Sequence, residues 1–273
     1  MTAKRWVALV VTLVILAGLG VGGYMAYRYL YQRMTPERCT VIVDEHEVIL
    51  TREQARNASI IVAVSVERGL PERAAIIALA TAYQESGLRN LDYGDRDSLG
   101  LFQQRPSYGW GTEEEIMDPW YTSNRFYEEL VKFDDWETTD INDMAQKVQR
   151  SGFPEAYRKH VENATAVAKS LLGAPESLSC VDFSVDEADA TALTPVLDAI
   201  GADYSVEGNQ VHIANTEDKT KAWSAVNMAL ANSYEAGISQ ATFDDLIWEP
   251  DGSGWSTASS HTDIGAAVLT LGS

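Results

Sequence analysis

Cysteine and histidine are scarce in this chain of 273 residues, which has two of the first, Cys39 and Cys180, and four of the second. No cluster with metal-ligand spacing can be assembled from so few, which argues against zinc and iron–sulfur sites. No metal and no cofactor is expected. Basic residues are also few: 21 Lys and Arg stand against 40 Asp and Glu, for a formal charge of −19. A surface of that sign repels nucleic acid, which is bound through basic patches. The sequence has no phosphate-binding glycine loop, no nucleophile elbow and no internal repeat.

Charge is absent altogether from Trp6 to Tyr27, an apolar run long enough for one membrane-spanning helix of about 20 residues. It exceeds the roughly 7–15 residues of a secretory h-region, and no small-x-small cleavage site follows it. Lys4 and Arg5 precede the run and Arg28, Arg33 and Arg38 follow it, so flanking charge alone does not orient it. The expectation is a single-pass protein of the cell membrane, anchored by its N-terminal helix, with its domains on the extracellular side.

The most informative stretch is Gln84-Glu85-Ser86-Gly87, followed after an Asp-rich loop by Ser98-Leu99-Gly100-Leu101-Phe102-Gln103. Pro71 suits the start of a helix and Gly87 its end in a left-handed cap. Glu85 therefore falls in the last turn. The carbonyl end of a helix is its negative pole, and the Ala/Ile/Leu-rich segment Ala74 to Ala82 implies burial, so both effects disfavour an ionised carboxylate. Such an acid can protonate a leaving oxygen near neutral pH. Glycoside cleavage normally uses two carboxyl groups, and Asp92, Asp95 and Asp97 lie in the loop that would face Glu85. The same aspartates also suit plain turn chemistry.

Together these segments resemble the signature of the lysozyme-like superfamily, the lytic transglycosylases and goose-type lysozymes, in which a Glu-Ser at a helix end precedes a Gly-Leu-Met-Gln segment. Phe102 replaces the Met, and Gly94-Asp95-Arg96 resembles a Gly-Asp-Arg of the goose-type enzymes. The likeness extends to the lysozyme-like module of actinobacterial exported proteins and covers roughly residues 51 to 172. It implies Glu85 as catalytic acid, with Asp95, favoured by the Gly-Asp-Arg match, and Asp97 as candidate partners. Ser86 and Gln103 belong to the matched segments and are candidate substrate-binding residues. Goose-type lysozymes carry a further Asp just after the Gln, where this chain reads Gln104-Arg105. That departure leans towards the single-acid transglycosylase route, in which the sugar's own 6-hydroxyl attacks. Lytic transglycosylases also carry a later Ala-Tyr-Asn-Ala-Gly type segment whose Tyr supports the acid; the corresponding region here is Ala145 to Pro154, with no Tyr. Gln149 or Tyr157 is left to hydrogen-bond the acid, and Gln149 is the one retained as a candidate.

Sugar binding asks for flat apolar faces beside polar groups. Tyr93, Tyr108 and Trp110 supply them near the motif, Tyr108 and Trp110 being set between glycines. Trp120 lies in a helical run, where core packing is the plainer reading. Cys39 and Cys180 stand just outside the two ends of the lysozyme-like segment, and two isolated cysteines can be buried free thiols. Their bracketing position suggests one disulfide instead, which calls for an oxidising compartment and is worth about 5 kcal/mol on a chain-entropy argument.

The expected organisation is a short cytoplasmic tail and transmembrane anchor (1–32), a juxtamembrane segment (33–50) with a small hairpin, a lysozyme-like domain (51–182) and an α+β accessory domain (183–273). The fold class expected is mainly α. The leading function is cleavage of peptidoglycan glycan strands; the alternative is a non-catalytic glycan-binding or cell-envelope scaffold protein that keeps the cleft. No protein partner is implied.

Overall fold

The computed structural model describes residues 37–273 apart from 151–152, 154, 183–187, 215–217, 259–265 and 273, together with a scatter of residues before 37. The chain begins its fold with a hairpin. Strands β1 (Arg38–Val43) and β2 (His46–Leu50) are joined by Asp44-Glu45, with φ of 51° and 64°, a mirror-image turn that matches the twist of paired strands. Helix α1 (Arg52–Glu67) enters through a Thr51/Gln54 capping box, which satisfies two otherwise orphaned N–H groups. Helix α2 (Glu72–Ser86) runs from Pro71 to a left-handed Gly87.

The helical wall continues with α3 (Glu113–Ile116), entered by a Thr112/Glu115 capping box, and α4 (Pro119–Leu130), capped by Asp118. Then come α5 (Ile141–Gln149) and α6 (Val161–Leu171). A 3-10 turn over Arg158–His160 leads into α6. Strand β3 (Leu178–Val181) returns antiparallel to β1, placing Cys180 opposite Cys39, and the disulfide joins them.

The remainder comprises α7 (Thr194–Ala199), β4 (Tyr204–Glu207), β5 (Gln210–Ile213), α8 (Lys219–Leu230), α9 (Ser233–Ala236), β6 (Ile238–Phe243), β7 (Leu246–Trp248), β8 (Trp255–Thr257) and β9 (Ala267–Leu271). The described strands form two antiparallel sheets, one ordered β2-β1-β3 and the other β4-β5-β9-β6-β7-β8. The mainly α class is corrected accordingly: this is an α+β fold. The reason lies in long-range pairing. The segment taken as juxtamembrane supplies two strands of one sheet, and β9 inserts between β5 and β6 in the other.

The membrane anchor is also corrected. Among the described residues no helix is long and apolar enough to cross a membrane, so the single-pass extracellular placement does not stand. Much of Trp6–Tyr27 lies outside the described residues.

Met1–Glu37 and Arg38–Ser273 are separate units, and the second is one compact body. The boundary drawn at residue 182 falls inside it. Asn227 on α8 donates to the carbonyls of Ser170 and Ala174 at 2.7 and 2.9 Å, and the Ser224 hydroxyl donates to Leu171 O at 2.7 Å. Gly173 makes this approach possible, since a Cβ there would lie 2.1 Å from the Thr220 carbonyl oxygen. The indoles of Trp248 and Trp255 donate to Ser179 and Leu178 of β3.

Donors that join the segments on the two sides of residue 182 should make the two unfold together. Asn227→Ala leaves two carbonyls without their partner and is expected to cost about 1–3 kcal/mol. Urea denaturation followed by far-UV circular dichroism and by Trp fluorescence should give one coincident transition, shifted to lower urea. Two separate transitions would show that the segments before and after residue 182 hold independent cores.

Candidate active site

Glu85 lies where the helix signals put it, in the last turn of α2. Gly87 and Leu88 both take left-handed backbone, with φ of 66° and 59°. The Leu88 N–H closes on Ala82 O at 3.1 Å, the pattern that ends a helix sharply. The freed carbonyls are taken by α1: Gln54 Nε2 donates to Gly87 O and Asn57 Nδ2 to Leu88 O, each at 2.8 Å. This fixes the helix end that carries the acid.

The second motif is stitched to the first. Leu99 and Gln104 exchange two backbone hydrogen bonds, so Gly100 to Gln103 form a tight loop. Gly100 is left-handed at φ 75°, and a Cβ on it would lie 2.6 Å from Ile116 O, which explains the glycine. Ser86 Oγ donates to Leu101 O at 2.7 Å and is buried, so its task is to join the motifs and it is not placed to meet substrate. Phe102 is buried and stacks on Phe126 at 4.6 Å, which gives the Met-to-Phe departure a packing role. Gln103 Nε2 lies 3.2 Å from Tyr93 O and 3.3 Å from Gly100 O.

Glu85 lines a cleft of about 560 Å³ with Asp95, Gln103, Tyr108, Trp110 and Gln149 among the other walls. The structure therefore brings six of the sequence candidates into one concavity. Tyr93, 64 % exposed, stands outside that lining, and Tyr108 is 69 % exposed on the rim. Arg105 lies over the Tyr108 ring, 4.4 Å from its centre, and Arg125 is 5.9 Å from the centre of the Trp110 ring. Trp120 packs against the core.

The carboxyl of Glu85 is half-buried and accepts a hydrogen bond from the Tyr157 hydroxyl at 2.6 Å. Burial raises its pKa above the ordinary value and the phenol pulls it part of the way back, the first effect being the larger. Gln149, the candidate retained from sequence, donates instead to Phe102 O at 2.8 Å. It supports the floor of the loop, and Tyr157 takes the contact with the acid. Only a generic signal pointed to Tyr157: a phenol close after the helix that faces the motif.

The two candidate partner carboxylates differ sharply. Asp97 is bonded by Ser107, whose N–H donates at 2.9 Å, and by Arg105 Nε at 2.6 Å, and these bonds, those of Ser107 foremost, hold its pKa well below the usual range. It shapes the loop and the start of the Pro106–Tyr108 turn. Asp95 lines the cleft with its side chain 92 % exposed. Sequence reasoning had not singled out Arg125, Glu129 or Arg150, which also line the cleft. Among the described residues no group of three or more His, Cys, Asp and Glu side chains is placed to hold a metal ion.

No protein-family model matches this sequence, and no curated protein matches it.

The raised pKa of Glu85 has a consequence for stability. The unfolded chain ionises first as pH rises, so stability falls between the unfolded value, about 4.3, and the higher folded one, and is flat beyond it. Glu85→Gln, which keeps the shape and still accepts from Tyr157, is expected to melt higher than the parent at pH 7–8. The difference should vanish at about pH 3, where the parent carboxyl is protonated in both states. A difference in melting temperature that does not change with pH would mean that the folded fold tolerates the charge.

Proposed function

We propose that this protein cleaves the glycan strands of peptidoglycan, with Glu85 as general acid and then base, by the transglycosylase route. The observation that carries the reading is the environment of Glu85: a half-buried carboxyl with a raised pKa at the closed end of a cleft-lining helix, oriented by the Tyr157 phenol at 2.6 Å. The protonated carboxyl gives its proton to the glycosidic oxygen as the C1–O bond breaks. The carboxylate so formed takes the proton of the muramic acid 6-hydroxyl while that oxygen bonds to C1 and closes an anhydro ring. One acid suffices, and this agrees with Asp97 being engaged by Arg105 and Ser107 and standing outside the cleft lining. Tyr157 is a positioning residue. The phenol in reach of the acid is what the resemblance to lytic transglycosylases asks for, supplied here from a later point in the chain.

Glu85→Gln should lower turnover on purified peptidoglycan by about 10²–10⁴-fold. Mass spectrometry of products from the unmodified protein should show 1,6-anhydro-muramyl ends. Reducing ends, with activity lost in Asp95→Asn, would assign hydrolysis instead. Glycan bound but no product of either kind would leave a non-catalytic glycan-binding protein.

Tyr157→Phe removes the bond that holds the Glu85 pKa down. The basic limb of the pH–rate profile should therefore move to higher pH while the maximal rate falls. A rate loss with an unmoved limb would make Tyr157 a packing residue only.

A further inference from the structure

Three guanidinium groups line the cleft of a chain whose formal charge is −19: Arg105, Arg125 and Arg150. Two are engaged. Arg105 pairs with Asp97 at 2.6 Å, and Arg125 pairs with Glu128 and Glu129. Arg150 has no ion-pair or side-chain hydrogen-bond partner among the described residues, and it is exposed.

Its backbone is equally distinctive. Arg150 ends α5 in the left-handed region, with φ 55° and ψ 39°, where glycine is the residue without a steric penalty. The preceding Gln149 ties this helix end to the cleft floor through Phe102 O. The helix end that carries this unpaired cation is thus tied to the cleft, whose lining also includes Tyr108 and Trp110. An acidic ligand is repelled at long range by the rest of this protein, so a local guanidinium is where its negative charge can be met. Arginine meets a carboxylate with two parallel N–H donors.

We propose that Arg150 binds a carboxylate carried by a muramic acid residue, so that the cleft selects an acidic, muramic-containing glycan over a neutral chitin-like strand of the same linkage. The inference rests on the peptidoglycan reading above. Two carboxylate sources exist on that sugar, the lactyl ether and the peptide stem, and both present the same chemistry to a guanidinium.

The test uses the full-length chain carrying Glu85→Gln, which should bind without turnover, and isothermal titration with three soluble ligands. These are a neutral chitin oligosaccharide, stem-free strand fragments bearing only lactyl carboxylates, and stem-bearing fragments. An acidic ligand should bind about tenfold tighter than the neutral one. Arg150→Gln and Arg150→Gly should bring that ratio to about one, and Arg150→Lys should keep part of it. The glycine variant is expected to melt at or above the parent, because the left-handed position suits it, which separates loss of charge from loss of fold. An Arg150-dependent preference already present with stem-free fragments assigns the lactyl carboxylate; one confined to stem-bearing fragments assigns the stem. Equal affinity of the parent for neutral and acidic ligands, or a ratio that survives Arg150→Gly, overturns the proposal. Turnover by the protein with Glu85 intact separates this result from the fate of the function. Cleavage with an Arg150-independent ratio removes only the carboxylate contact. Arg150-dependent binding without cleavage removes only the enzyme, and binding of none of the three removes both.

Discussion

The arrangement of the cleft depends on how α2 stops. Two successive left-handed residues, Gly87 and Leu88, turn the chain away within one residue of Ser86, and only the first is a glycine. The cost of the second is offset by complete burial of the Leu88 side chain and by the carbonyl bonds from Gln54 and Asn57. With the helix end fixed, Glu85 is held at its negative pole and partly out of water, and both effects favour the protonated carboxyl. Ser86, the next residue, reaches the Leu101 carbonyl, so the acid and the glycine loop are set relative to each other by one short hydrogen bond.

Much of this was legible in the sequence because its signals are local. The capping boxes at Thr51/Gln54 and Thr112/Glu115, the Asp118-Pro119 start and the Gly87 stop each depend on side chains within a few residues of the backbone they satisfy. The hairpin over Tyr204–Ile213 turns at Gly208, with φ 62°, a residue type that suits such a turn. The strands β3 and β9 carry no such signal. Each is defined by a partner far away in sequence, β3 by β1 and β9 by both β5 and β6, and a short apolar run does not say what it will pair with. The sequence from Asp218 to Ala236 has the pattern of one long helix closed by Gly237. The structure breaks it after Leu230, where buried Asn232 donates to Ser59 across the fold.

The site divides along the same line. Glu85 was legible because its helix, its cap and its burial are all local properties. Gln149 and Tyr157 could not be ranked, because the choice depends on which of two side chains α5 and the turn before α6 aim at α2. Gln149 donates to the loop that contains Phe102. Asp97 resembled Asp95 in sequence, yet the guanidinium of Arg105 and the backbone N–H of Ser107 remove it from the chemistry open to its neighbour.

The contrast between Glu85 and Asp95 bears on the route proposed for this cleft. Acid and base roles separate when environments push two pKa values apart, and burial displaces Glu85 upwards. A hydrolase of either stereochemistry also needs its second carboxylate at a set distance from the first, so that water or the sugar carbon is met in line. Asp95 has its side chain 92 % exposed, with only a loose 4.0 Å contact to Arg96, and nothing packs against it to fix that distance. Holding a free surface side chain in one rotamer costs conformational entropy that no contact here offsets. A 6-hydroxyl already attached to the sugar has no such cost, since its attack is intramolecular and its approach is set by the ring itself. The cleft is thus better suited to a substrate that brings its own nucleophile than to one that waits for a positioned water.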